Sequence, residues 1–259
     1  MEGDDVVIAA AYTYEAPTTL DEAQELASQD GAVLLAGGQS LITELKRGLR
    51  SPRLVVDLRG IESLRTSGKD SWGAMVTLDE LAACAPSALT DAIESIRDPQ
   101  VRNRATIGGS VALVQQGADL PAVALALGAE FERPGSGEII TAVRIPAPAP
   151  GNGSAYEKLP NPGSGYAICG VAAAVTVSAD GAIERASIGL AGAGPTAVSL
   201  AADVQGTEDE VAAVAAATAD GLEFPSDLAA PADYRAHLTR VLTARALRRA
   251  IRRATEGAR

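Results

Sequence analysis

The chain predicts a mixed α+β fold, and three observations carry that reading. Short apolar runs alternate with helix-like segments through the first half. Two glycine pairs stand directly beside such runs. A Pro/Gly-rich stretch at residues 146–154 then separates this half from strand-like and finally helical sequence. With 259 residues there is room for two modest domains, expected at 1–150 and 151–259.

The elements follow in order. Thr18 or Thr19 caps a first helix, with Asp21 and Glu22 in its first turn and Leu20, Ala23, Leu26 and Ala27 along one face. Asp30-Gly31 ends it. Residues 32–36 read as a buried strand running into the first glycine pair, residues 41–49 as a helix, and residues 53–58 as a second strand. Strand-like 74–77, a helix at 78–84 and a longer helix at 87–97, closed by Asp98-Pro99, precede the second glycine stretch. The segment opening with Asp119-Leu120-Pro121 reads as a helix of small apolar residues that reaches Leu127 and stops at Gly128. Residues 131–138 are turn-rich and 139–145 strand-like. Past the linker, strands at 170–177 and 186–190 are joined by a turn at Asp180-Gly181. The tail is helical over 211–219 and 233–254, and Arg248, Arg249, Arg252 and Arg253 read as a solvated end complementing the helix dipole. No internal repeat occurs.

Composition excludes several classes. A net charge of −11 argues against nucleic acid or an anionic membrane as the main partner, since both require a basic field. No leader pattern opens the chain, and no apolar run is long enough for a membrane span. Cys84 and Cys169 stand far apart without a C-x-x-C, too few thiols for an iron–sulfur cluster on this chain. No metal site is expected, and the thiol usage fits the cytoplasm. The sole histidine, His237, lies in an Arg-rich helical pattern and reads as structural.

The glycine stretches carry the chemistry. The first comprises Leu35, Ala36, Gly37, Gly38, Gln39, Ser40, Leu41 and Ile42; the second Ala105, Thr106, Ile107, Gly108, Gly109 and Ser110. Neither matches G-x-G-x-x-G or G-x-x-x-x-G-K-[ST]. Turns of this kind let successive N–H groups approach an anion. Two of them point to a diphosphate ligand held from two sides.

In this order the motifs resemble the FAD-binding medium subunit of the molybdenum hydroxylases, the family of the carbon monoxide dehydrogenase flavoprotein and the xanthine dehydrogenase flavin domain. Besides both glycine stretches, the likeness includes Leu54-Val55-Val56-Asp57-Leu58, Asp98-Pro99-Gln100-Val101-Arg102, Asp119-Leu120-Pro121-Ala122 and Tyr156-Glu157-Lys158-Leu159. It implies a two-lobed FAD-binding domain followed by a smaller α+β domain. It further implies FAD contacts from residues 35–42, from Thr106, Ile107, Gly108, Gly109 and Ser110, and from Ile96, Asp119, Ile140, Lys158 and Tyr166. Asp119 would accept a cofactor hydroxyl, Lys158 would lie near the flavin, and Tyr166 would shield one ring face. The residues themselves leave plainer roles open: Asp119 as a helix cap, Lys158 as a surface lysine, Tyr166 as a domain-edge aromatic.

The implied function is electron transfer, from iron–sulfur clusters on a small subunit to FAD and an external electron acceptor, with substrate oxidised on a molybdenum-bearing large subunit. No catalytic side chain is assigned on this chain. The chain departs from the family at Leu113-Val114-Gln115-Gln116-Gly117, where a polar residue and a proline are usual, and in a shortened segment at 131–138. The shortening favours one alternative, a stand-alone FAD-dependent oxidoreductase. A flavin-free scaffold is the other, and the two intact glycine pairs weigh against it.

Overall fold

The computed structural model describes residues 11–82, 87–113, 115–134, 137–179, 182–202 and 208–257. Cys84, Val114 and the Asp180-Gly181 turn expected from sequence lie outside the described residues, as does the middle of the shortened segment.

Three strands form a parallel sheet in the order β1-β3-β2: β1 (Thr13–Glu15), β2 (Ala32–Leu35) and β3 (Leu54–Asp57). Helix α1 (Leu20–Ala27) starts where expected, because the Thr19 hydroxyl accepts the Glu22 amide while Glu22 accepts the Thr18 amide. Gly31, with φ of +77°, turns the chain back into β2. Helix α2 (Leu41–Lys46) is shorter than its apolar pattern, and Gly48 (φ +67°) follows it. Ala23, Val56, Ile61, Leu64, Met75 and Ile139 fill the core on this sheet.

A second sheet runs β4-β6-β5, antiparallel, from β4 (Ser71–Gly73), β5 (Glu130–Glu132) and β6 (Ala142–Arg144). Two sequence expectations shift here. The strand expected at 74–77 lies three residues earlier, because residues 74–76 are buried as a turn in which the Val76 amide donates to the Gly73 carbonyl. Their alternation divides side chains between two cores, Met75 into the first and Ala74 and Val76 into the second. The turn-rich reading of 131–138 also missed β5, in which Phe131 pairs with Val143. Helices α3 (Leu78–Ala82), α4 (Ser87–Ser95), α5 (Pro99–Arg102), α6 (Ile107–Val111) and α7 (Asp119–Leu127) complete this region. Asp98 does not close a helix but opens one, accepting the Gln100 amide as the cap of α5.

The third sheet, antiparallel and ordered β10-β9-β8-β7, contains β7 (Asn152–Pro160), β8 (Ala167–Val177), β9 (Ile183–Ala191) and β10 (Val198–Ala202). Strand β7 begins inside the expected linker. Gly153 explains why: a Cβ there would run into the Ala250 carbonyl and come within 2.5 Å of the Ala254 amide. The residue serves close packing rather than flexibility. Helix α8 (Glu208–Ala217) lies against α9 (Ala232–Gly257), which presents Leu242, Ala246, Leu247, Ala250 and Ala254 to the sheet at helical spacing. Helix α7 covers β8 and β9, approaching so closely that a Cβ on Gly189 would meet the Ala122 carbonyl.

The terminal arginines are not all solvated. Arg249 and Arg253 both reach the buried Asp91 carboxylate on α4, at 2.8 and 2.7 Å, and Arg249 also pairs with Glu157. Arg235 is fully buried on α9 and donates to the Ile168 and Gly192 carbonyls and to both oxygens of Asp227. Gln116, in the atypical loop, donates to the same Asp227 at 3.2 Å. His237 is exposed. No helix among the described residues is long and apolar enough to cross a membrane.

Candidate functional site

The first glycine stretch leaves the end of β2 and opens on a groove of about 360 Å³. Its walls are residues 35–39 with Ile42, Thr43, Lys46, Arg59 and Arg104. Gly38 adopts φ of +78°, which L side chains rarely reach, and Gly37 lies two residues past the end of β2. Among the described residues no acceptor receives the amides of Gly37, Gly38, Gln39 or Ser40, whereas the Ile42 amide reaches the Gly38 carbonyl. Unpaired backbone donors persist where solvent or a ligand satisfies them. Three of these four residues, Gly37, Gly38 and Gln39, line the groove beside three cations, an arrangement that suits an anionic group.

The second stretch is built differently from the turn expected. It is a helix, α6, with Thr106 as its cap. Its amides are satisfied internally: Ile107 donates to Val76, Gly108 to Ala74, Gly109 to the Thr106 hydroxyl and Ser110 to the Thr106 carbonyl. The glycines serve close approach. A Cβ on Gly108 would overlap Ala74, and one on Gly109 would lie 2.9 Å from the Thr106 hydroxyl and 3.2 Å from the Ala36 Cβ. A Cβ on Gly37 would strike the Arg104 carbonyl. The two glycine stretches therefore pack on each other, and the first carries the open amides.

A second cluster lies beyond Ser40. The Ser40 hydroxyl is 3.4 Å from the Tyr166 hydroxyl, joining the first glycine stretch to the loop after β7. In that loop the Gly165 carbonyl accepts from Lys158 at 3.0 Å. Lys158 also pairs with Asp119 at 2.7 Å, the two side chains being only 4% and 7% exposed. Tyr156 donates to the other Asp119 oxygen at 2.5 Å. Strand periodicity places Tyr156 and Lys158 on one face of β7. Burial pushes the Asp119 carboxyl up, opposed by the Lys158 ammonium and the Tyr156 hydroxyl; burial also lifts Tyr156 well above its usual value, reinforced by Asp119. Asp119 makes no capping bond to α7, and Lys158 is not a surface lysine.

Ile96 and Ile140 line neither the groove nor the Asp119 cluster. Ile96 packs against the second core and its carbonyl accepts from Arg102, while Ile140 is 8% exposed within that core. Sequence reasoning missed Lys46, Arg59, Arg104 and Tyr156. Position was the available signal: Arg59 follows Asp57 by two, Arg104 precedes Thr106 by two, and Tyr156 precedes Lys158 by two.

A groove of open amides and cations at the end of a parallel three-stranded sheet, walled also by Arg104 ahead of α6, suits the phosphate groups of a nucleotide cofactor in a protein of mixed α and β structure. Residues 10–136 match the family described as FAD binding domain in molybdopterin dehydrogenase, and residues 154–250 match the CO dehydrogenase flavoprotein C-terminal domain. The carbon monoxide dehydrogenase medium chain of Afipia carboxidovorans is 35% identical, covering 96% of this chain and 99% of that one. The 6-hydroxypseudooxynicotine dehydrogenase complex subunit alpha of Paenarthrobacter nicotinovorans is 30% identical, covering 94% and 96%. The solved carbon monoxide dehydrogenase of Hydrogenophaga pseudoflava superposes with a TM-score of 0.86 at 31% identity, over 95% of this chain and 99% of that one. The chain belongs to the FAD-binding medium-subunit family of the molybdenum hydroxylases.

Proposed function

We propose that this chain is the electron-transfer subunit that links iron–sulfur clusters on a small partner subunit to an external electron acceptor, with substrate oxidised on a molybdenum-bearing large subunit. The observation that carries the reading is the groove, whose wall brings together three residues with open amides, Gly37, Gly38 and Gln39, and three cations. Residues 35–40 would hold the FAD diphosphate there, with the α6 glycines setting the distance between the two lobes. Tyr166 and Lys158 would lie toward the flavin end, because Tyr166 meets Ser40 of the first glycine stretch and Lys158 meets Gly165 beside Tyr166. Bound FAD supplies the redox chemistry, in single- and two-electron steps. The chain's own contribution is to bind, orient and fix charge: Asp119 and Tyr156 lock Lys158 in one position. We place the assembly in the cytoplasm, in keeping with the sparse cysteine usage.

The test is a visible spectrum of the purified protein, followed by denaturation and chromatography of the released flavin. Flavin absorbance with release of intact FAD is expected. A colourless protein that excess FAD cannot reconstitute overturns the reading. Co-expression with the large and small partners should give a complex in which substrate bleaches the flavin absorbance, whereas the isolated chain should oxidise no hydroxylase substrate.

A further inference from the structure

Resting on the reading of the groove as the FAD site, we propose that Lys46, Arg59 and Arg104 form its diphosphate subsite. The phosphates are then bound by side-chain charge in addition to backbone amides.

All three cations line the groove, and no carboxylate does. That is notable in a chain whose net charge is −11. The three are not equivalent. Arg59 is held from behind: its Nε and Nη2 both reach Asp57, 2.8 and 2.5 Å from Oδ2, and its own amide donates to Oδ1. Tyr14 donates to the same carboxylate at 2.5 Å. Burial pushes the Asp57 carboxyl up, but the hydrogen bonds from Arg59 and Tyr14 outweigh it, and its pKa falls below the usual range. Asp57 is 1% exposed and stays ionised, so it orients Arg59 while offsetting its charge. The Nη1 of Arg59 makes no hydrogen bond among the described residues.

Lys46 and Arg104 have no side-chain partner among the described residues. Lys46 closes α2, the helix that follows the open amides. Arg104 has its backbone fixed, because its carbonyl lies against Gly37. With Arg59 offset by Asp57, two uncompensated positive charges face the space onto which the amides of Gly37 and Gly38 open. A dinucleotide diphosphate is doubly anionic. The charges match, and the amides supply the directional hydrogen bonds that flexible cations do not.

The experiment titrates FAD into the flavin-free full-length chain, followed by flavin fluorescence. Three double variants are compared: Lys46→Ala with Arg104→Ala, Lys46→Glu with Arg104→Glu, and the charge-keeping Lys46→Arg with Arg104→Lys. Both side chains are exposed, so circular dichroism and melting temperature should be unchanged. Arg59 is left intact, since its removal would strand the buried Asp57. Exposed ion pairs each shift an equilibrium by roughly 1.4- to 5-fold, so the alanine pair should raise the FAD Kd about 2- to 25-fold. The glutamate pair should raise it further, and the charge-keeping pair should stay within about twofold of wild type. Equal FAD affinity in all three variants overturns the subsite, as does equal weakening by the charge-keeping pair. A wild-type chain that binds no FAD is a separate outcome, which overturns the FAD reading and this inference together.

Discussion

Replacing Lys158 by Met tests the buried pair directly. Lys158 and Asp119 are 4% and 7% exposed and 2.7 Å apart, and Met fills most of the lysine's volume without its charge. The change leaves the Asp119 carboxylate with Tyr156 as its remaining side-chain donor, and leaves the Gly165 carbonyl without its lysine. Removing one partner of a buried pair costs about 3–5 kcal/mol. At ~2–4 °C per kcal/mol for a chain of this size, the melting temperature should fall by roughly 6–20 °C at pH 7. The pH dependence has a definite sign. Burial raises the Asp119 carboxyl, and Lys158 opposes that shift, so the variant's folded-state value lies further above the unfolded one. A carboxyl raised in this way is most favourable when protonated, and that stability is lost as pH rises through the folded value. The deficit of the variant should therefore be largest at neutral pH and shrink on acidification. Adding Asp119→Asn should restore part of the loss, because no unpaired charge remains buried. The assay is urea and thermal unfolding by circular dichroism at pH 5 and pH 7. A variant within ~0.5 kcal/mol of wild type at pH 7, the range of a surface substitution, would refute the reasoning.

Other outcomes follow from the same geometry. Gly37→Ala should lower FAD affinity by at least ~10-fold and reduce stability, since its Cβ would push the first stretch off the Arg104 carbonyl; a variant matching wild type in both Kd and melting temperature contradicts the packing described. Gly109→Val should displace the Thr106 hydroxyl from its cap, costing about 1 kcal/mol in unfolding measurements, and should press on Ala36 and weaken FAD. In the loaded protein, Lys158→Met should lower the flavin reduction potential and Asp119→Asn should raise it; shifts of the same sign in a redox titration would remove the pair from the flavin's surroundings. The Arg235 guanidinium holds the Asp227 carboxyl down at about 2, so its stabilisation is present above the unfolded value of 3.8 and lost as pH falls through about 2. Asp227→Asn should flatten acid unfolding in that window.

Much of the chain was legible because local chemistry and tertiary packing agree. The Thr19 cap with acids behind it, the half-buried β2, the fully buried β3 and the stop at Gly128 (φ +65°) all follow from rules that need no distant partner. The misread elements are those whose role is set from elsewhere. Gly108 and Gly109 have the composition of a turn, yet α6 forms because Thr106 caps it and Ala74 leaves no room for a side chain at Gly108. Gly153 was assigned to a linker by its neighbours, although its need arises from α9. The Arg249 and Arg253 pairing depends on Asp91, more than 150 positions away. The resemblance named the residues at both glycine stretches, but not that one opens its amides and the other satisfies them internally. That distinction rests on the contacts made by Ala74 and Val76, which no local pattern encodes.

The placement of ionisable groups through the chain shows what work it does. A general acid or base acts best with a pKa near the working pH. Here burial drives Tyr156 well above its usual value and the Cys169 thiol up to about 11. Asp119 is tied to Lys158, and Asp57 is tied to Arg59 and Tyr14. His237, the sole histidine, is exposed on α9 and lines no part of the groove. The buried charges are thus matched in fixed pairs, while Lys46 and Arg104, without a side-chain partner among the described residues, lie on the groove wall. Fixed pairs hold a constant field around a bound group, and exposed cations admit an anion. That division of charge suits a subunit whose FAD exchanges electrons while substrate is transformed on another chain. It also predicts that His237→Ala leaves FAD affinity unchanged, because that side chain lines no part of the groove.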